Sequence, residues 1–441
     1  MEKQAEYFDT LISGATLLTM DPQRRIIEDG VLGIRGQKIA WVGTRPELPG
    51  NFEARESLEM PGKVLMPGLI NTHGHIAMTL FRGYVHDVAL EGWLAKIWKV
   101  ESQIVSEENV KAGVELAMVE MLRSGTTAAA DMYFQFPTVC QTTSEAGFRL
   151  FNGPSFAVIP GFEQKKNVYY EAALEMLDMV MGYPLVHPCV QAHSTYTASL
   201  AMLEEIARIK AERGLIFVTH AAESLGEMRQ VRELYNQTPI EVLDVVGLLD
   251  RNTLLAHGVH LSDAELDLLA ERGTSIAHCP QSNLKLSSGI ARVVEMLKRG
   301  INVSLGTDGS ASNNDLDLFH EAQTAVLVQK GISMDPTVMP AEEVVAMLTI
   351  NGARSFGLED KLGSLEVGKL ADLAVVDFES ANLTPCYDIY SQLVYSVSPH
   401  DVCHTMVNGR WLMRDRKLLT LDEEAIKVKV RRIAVEIRGI S

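Results

Sequence analysis

Cysteine is the first thing this sequence is short of. Five occur in 441 residues (Cys140, Cys189, Cys279, Cys386 and Cys403), an odd number with no Cys-x-x-Cys pair among them. That argues against a disulfide framework or a cysteine zinc site and predicts a reducing, cytoplasmic setting. Also missing is any charge-free stretch of about 18 apolar residues, so no membrane span is expected. The start, MEKQAEYFDTLISG, carries two Glu and an Asp where a secretory signal has a basic residue and an apolar run. Positive charge is scarce as well: 40 Lys and Arg stand against 57 Asp and Glu, a net −17. Such a surface repels phosphate backbones and anionic lipid. Nucleic acid and membrane are therefore not expected as partners, and a neutral or zwitterionic small molecule is. There is no GxSxG elbow, no Walker loop, no short repeat and no low-complexity tract.

What is present falls into two styles. Residues 1–63 read as short strands and turns, with DTLISGATLLTM, GVLGIRGQKIAWVG and ARESLEM alternating apolar and polar positions. The C-terminal part returns to that style in LADLAVVDF, VCHTMVNGRWLM and RKLL, before a closing helix over 422–437. Residues 1–63 and 371–441 are therefore expected to build one composite β-domain. In between, over 64–370, apolar runs alternate with amphipathic helices, among them 107–123, 169–181, 199–213, 263–272 and 290–299. Strands that are apolar throughout are buried on both faces, as in a parallel sheet. Eight strand–helix alternations predict an α/β fold, a (β/α)8 TIM barrel. The open doubly wound sheet would need a glycine-rich phosphate loop after its first strand, and none is there.

Chemistry-bearing residues stand at the ends of these strands: His73 and His75, Asp131, His193, His220 and Glu223, His257, and Asp308. In a barrel, that is the face where active sites form. Each has a plain reading when taken singly. A His-x-His pair is weak evidence, Glu223 could cap a helix, and TDG could be only a turn. Together they point to a metal. His73 and His75, two apart in an extended segment, point to the same side. His220 adds a third imidazole and Asp308 a carboxylate, a donor set that suits zinc and that iron or manganese would also accept. Gly306 and Gly309 allow close backbone approach around Asp308. Glu223 is read as the group that moves a proton between water and substrate, and His257 as one that orients the attacking hydroxide. His278 and Asn283 of HCPQSN are expected to shape the pocket through hydrogen bonds. The fourth strand ends in His193 rather than a lysine, so a carbamylated lysine bridging two metals is not indicated and one metal is expected.

Taken in order, KVLMPGLINTHGH, HAAE, AHGVHL, GTDGSASNN and GSLEVGKLADLAVVD resemble the amidohydrolase superfamily over nearly the whole chain. The resemblance implies a metal-dependent (β/α)8 barrel with a small β-sandwich domain formed by both chain ends. The likeness is nearest to 5′-methylthioadenosine/S-adenosylhomocysteine deaminases, through HIAMTLFRG, EGWL, ADMYF, HCPQSNLKLSSGIA and LGTDGSASNN. It implies one zinc on His73, His75, His220 and Asp308, proton transfer by Glu223, hydroxide orientation by His257 and Asp308, and ribose contacts from Glu101 and His193. Trp93 and Asn152 are expected to touch the substrate. The implied reaction replaces the amino group at adenine C6, giving an inosine-type product and ammonia. Some members hold a homocysteine carboxylate with arginines after the third strand. Here RLFNGPSF has Arg149 at its start and Asn152 and Gly153 at its end. 5′-Methylthioadenosine is therefore the expected substrate, with S-adenosylhomocysteine and adenosine after it. Guanine deaminases and triazine chlorohydrolases share the ligand pattern but need no ribose contacts. A non-catalytic scaffold on this fold would show gaps in the ligand set. A homo-oligomer is also implied by the family.

Overall fold

The structure is a computed structural model that describes residues 6–48, 50–159 and 170–440. Both ends of the chain meet in one nine-stranded sheet. Lys63–Pro67 is the seam, antiparallel to Leu373–Asp377 with Leu65 opposite Val375, and parallel to the end of Glu6–Leu18. Ile12, Leu17, Leu32, Ile34, Leu65, Leu373 and Met406, drawn from both ends, close over one apolar interior. Strand Phe52–Glu59, in which exposed residues alternate with half-buried ones from Glu53 on, lies on the outside of this arrangement.

The second sheet is the barrel. Its ring strands are β1 (Leu69–Asn71), β2 (Thr126–Ala130), β3 (Arg149–Asn152), β4 (Val186–Ala192), β5 (Ile216–Ala221), β6 (Thr253–His257), β7 (Ser275–His278) and β8 (Val303–Leu305), each paired in parallel with the next, and a short ninth strand, Ser155–Phe156, pairs with β4. Backbone bonds from Thr72 N to Leu305 O (3.1 Å) and from Asp308 N to His73 O (3.0 Å) join first to last and close the ring. The strands are mostly apolar and almost wholly buried, as in TTAAA of β2 and TLLAH of β6, because helices cover the outside and side chains fill the inside.

The outer helices begin and end where local chemistry sets them. Ser106, Ser199 and Ser262 cap Glu107–Arg123, Leu200–Arg213 and Asp263–Arg272 by accepting an N–H from the first turn. Expected helices 107–123, 199–213 and 263–272 coincide with these to within a residue. The stretch 290–299 is helical only over Val293–Lys298, and 169–181 corresponds to Tyr170–Val180, with residue 169 outside the described residues. The closing helix runs Glu423–Arg438. Among the described residues no helix is long and apolar enough to cross a membrane.

One run divides differently from its appearance. VLMPGLIN reads as a single strand, yet Val64–Pro67 pair in the terminal sheet and only Leu69–Asn71 in the barrel. The crossing is at Gly68, where a Cβ would come within 2.2 Å of the Thr127 side chain. The change of sheet thus lies a few residues beyond the expected 63/64 boundary. The two sheets are tied by a buried ion pair, Arg149 Nε to Asp372 Oδ2 at 2.7 Å and Nη2 to Oδ1 at 2.9 Å. Arg149 is at the start of β3, on the barrel floor, far from the strand ends that carry the site.

Candidate active site

His73 and His75 follow β1 in the segment that closes the barrel, with Gly74 bridged to Asp308. The approach is close enough that a Cβ on Gly306 would stand 2.8 Å from His73, so that position requires glycine. His220 comes from β5, and Asp308 follows β8 in a left-handed conformation (φ 59°). One ligand atom from each of these four residues lies within 4.8 Å of the others.

Hydrogen bonds decide which atoms face inward. Nδ1 of His75 donates to Met132 O and Nδ1 of His220 to His193 O, both at 2.5 Å. A ring that donates from Nδ1 carries a lone pair on Nε2. With both rings neutral the two Nε2 atoms, 3.2 Å apart, face each other as lone pairs, an arrangement that either a cation between them or a proton on His75 relieves. Nε2 of His73 is buried and, among the described residues, has no hydrogen-bond partner, Oδ1 of Asp308 standing off at 3.4 Å. Oδ2 of Asp308 is occupied by the hydroxyls of Ser282 (2.6 Å) and Ser312 (2.7 Å), which leaves Oδ1 turned to the histidines. Three inward-facing ring nitrogens and one carboxylate oxygen around a single point fit a divalent cation.

The electrostatics agree. Burial drives His73 down to about 4 and His220 well below its usual value, so both are neutral imidazoles at pH 7. Burial also disfavours charge on His75, but the bonded carboxylate of Asp308 outweighs it and pulls His75 up to about 9. The cluster calls for positive charge, which a metal would supply in place of that proton.

Glu223 lies three residues beyond His220, buried, and is pushed up to about 8 by its burial and then by the charge of Asp308. His257 Nε2 is 3.7 Å from Glu223 Oε2. Its Nδ1 bonds Asn283 Oδ1 at 2.9 Å, which leaves Nε2 to accept, and burial holds the ring neutral at pH 7. His278 is buried, and among the described residues its Nδ1 has no hydrogen-bond partner.

These groups floor a cavity of about 280 Å³. Helix Leu90–Ile104, an insertion after β1 that strand–helix alternation does not predict, covers its mouth. It contributes Trp93, whose Nε1 donates to Ala311 O at 3.3 Å, and Glu101, whose Oε1 accepts the Tyr133 hydroxyl at 2.6 Å. His193 lines the cavity from the end of β4, its Nδ1 3.1 Å from Thr197 Oγ1. Asn152 is different. Its amide donates to Asp131 Oδ2 (3.0 Å) and its Oδ1 accepts Gly153 N (2.7 Å), so it is spent inside the barrel wall and does not line the cavity.

Residues outside the expected set also shape the site. Trp98, Phe134, Phe136 and Met176 make an apolar wall, and Tyr133 and Tyr196 add hydroxyl-bearing rings. Trp98 comes from the mouth helix, Phe136 and Met176 from the helices Phe136–Ala146 and Tyr170–Val180, and the others from loops, none of whose directions strand periodicity sets. The ADMYF motif signals Tyr133 and Phe134 and the WLAKIWKV run signals Trp98; the other three carry no such signal.

A cation cluster with a buried acid beside it, at the strand ends of a closed (β/α)8 barrel, defines a metal-dependent hydrolase. Residues 64–412 match the amidohydrolase family, and the chain belongs to that family. A 5-methylthioadenosine/S-adenosylhomocysteine deaminase of Syntrophobacter fumaroxidans is 40% identical over 98% of both chains. A 5′-deoxyadenosine deaminase of Methanosarcina mazei is 38% identical over 97% of this chain and 98% of its own. The solved structure of an adenosine deaminase from Xanthomonas campestris with bound zinc superposes with a TM-score of 0.95 at 33% identity, covering 99% of this chain and 100% of that one.

Proposed function

We propose that this protein removes the 6-amino group of 5′-substituted adenosines by hydrolysis, with 5′-methylthioadenosine as its preferred substrate and one zinc on His73, His75, His220 and Asp308. The observation that carries the reading is the set of inward-facing ligand atoms on those four residues, with the buried acid Glu223 on the rim of the same cavity. Zinc held there supplies Lewis-acid activation of water near neutral pH.

The rest is done by side chains. Glu223, lifted by burial into the neutral range, accepts the proton of the attacking water and delivers it to N1 of the adenine ring. Protonation at N1 makes C6 electrophilic. The neutral Nε2 of His257 orients the incoming hydroxide, so that the C6–O bond forms; the proton of the new hydroxyl then passes to the amino nitrogen, and the C6–N bond breaks with loss of ammonia to leave C6=O. Glu101 and His193 hold ribose hydroxyls, and Trp93 packs on the nucleoside. The apolar wall of Trp98, Phe134, Phe136 and Met176 suits an uncharged thioether tail. Guanine and chlorotriazines lack a ribose and would leave the Glu101 side of the cavity unused, which disfavours them. The free cysteines, all unpaired, support a cytoplasmic setting, and homo-oligomerisation is carried over from the family resemblance.

The test is Glu223→Gln. Zinc content stays at one per chain while turnover of 5′-methylthioadenosine, followed by loss of adenine absorbance, falls at least about 10²–10⁴-fold. Near-normal turnover removes Glu223 from this role.

A further inference from the structure

We propose that Glu227 is the positioning residue for Glu223, holding the strained backbone that aims the Glu223 carboxylate into the cavity. The inference rests on the proton-transfer role proposed above for Glu223.

Glu227 sits in the first turn of helix Leu225–Tyr235, whose cap is Ser224. A glutamate at this place normally reaches back to the N–H of the capping residue. Glu227 reaches further. Its Oε1 accepts Ala222 N at 3.2 Å and its Oε2 accepts Glu223 N at 2.7 Å, in a buried setting. Ala222 is left-handed, with φ 53°, a conformation that strains a residue with a Cβ and persists only where neighbours enforce it. The enforcement comes from two sides. On one is the Glu227 carboxylate. On the other, the carbonyl of Ala222 accepts Val259 N and His260 N, each at 2.9 Å, and that of Ala221 accepts Gly258 N at 3.1 Å. Those donors directly follow His257, itself left-handed at φ 74°. The segment that carries Glu223 and the segment that carries His257 are thus locked to each other, and Glu227 is the side chain that closes the lock from behind.

Removal of one acceptor strands a buried N–H and lets the Ala222–Glu223 peptide rotate, and Glu223 turns with it. The metal ligands are anchored separately, His220 through His193 O and His75 through Met132 O. They should not follow.

The experiment is Glu227→Gln, which keeps the shape but offers one carbonyl oxygen and an opposing NH2. We expect turnover to fall about 10²-fold, as for a misplaced catalytic group, with KM within about threefold and one zinc per chain. Hydrogen exchange at the Ala222 and Glu223 amides should accelerate at least about tenfold while amides inside β5 keep their protection. In the Glu223→Gln background the second substitution should cost nothing further, because it acts only through Glu223. Should Glu227→Gln fail to fold, Glu227→Asp, one methylene too short, gives the same pattern. Unchanged turnover, unchanged exchange, loss of zinc or a fully multiplicative loss in the double variant each overturn the inference. Normal turnover of Glu223→Gln alone overturns the reading beneath it, a separate and distinguishable result.

Discussion

Ser282 donates its hydroxyl to Oδ2 of Asp308 at 2.6 Å, and so selects which oxygen of that carboxylate faces the three histidines. Ser312 bonds the same oxygen from within the loop that follows β8. A carboxylate fixed in this way meets a cation without first losing rotational freedom, and partners of this kind commonly contribute 10–100-fold in affinity. Ser282→Ala combined with Ser312→Ala is therefore expected to weaken zinc binding by about that factor. The check is a chelator competition on the purified variant. Activity should return when zinc is added in excess. Unaltered affinity would mean that the strand end alone orients Asp308.

Glu101 is the buried carboxylate of the mouth helix, and the Tyr133 hydroxyl fixes one of its oxygens. If it holds a ribose hydroxyl, that bond is charge-assisted and contributes about 1.5–3 kcal/mol, or roughly 10–100-fold. Glu101→Gln should then lower kcat/KM for 5′-methylthioadenosine by that factor. It should barely change kcat/KM for the analogue lacking the bonded hydroxyl. The 2′-deoxy and 3′-deoxy analogues, assayed side by side, identify which hydroxyl it is. Equal losses on all three substrates would sink the ribose assignment.

Much of this site is legible in the sequence for a simple geometric reason. His73, His75, His220, His257 and Asp308 stand at strand ends, and a parallel barrel brings all its strand ends to one rim. Side chains beyond the strands are not so constrained. Ser282, Ser312, Tyr133, Trp98 and Glu227 reach the site from turns and helices whose course depends on long-range packing, and periodicity is silent about them. At two places a local signal is overridden by packing. VLMPGLIN has the apolar content of one buried strand, but Gly68 lets the chain pass between two sheets. Asn152 ends β3 as a ligand-facing residue should, but Asp131, buried and in need of donors, claims its amide. Asp131 in turn accepts Ile76 N at 2.7 Å, next to His75, so Asn152 serves the site through the wall rather than from the cavity.

The barrel floor should carry a share of the protein's acid sensitivity. His187, on β4, stacks on Phe151 and has Nε2 3.2 Å from Nη1 of Arg149, the arginine bound to Asp372. Burial, and then the positive charge of Arg149, lower its pKa from 6.5 to about 4. The folded protein therefore keeps His187 neutral in a range where the unfolded chain takes up a proton. Stability from this group is fully present above the unfolded value of 6.5 and is lost as pH falls from there toward about 4, with a slope of at most about 1.4 kcal/mol per pH unit. His187→Gln removes the titration while leaving a polar partner for Arg149. Urea unfolding of zinc-free wild type and variant at pH 7, 5.5 and 4.5 should show the wild type losing stability faster on acidification, so that the gap between the two shifts in the variant's favour. Curves that stay parallel across that range would assign the acid sensitivity to the buried histidines of the mouth instead.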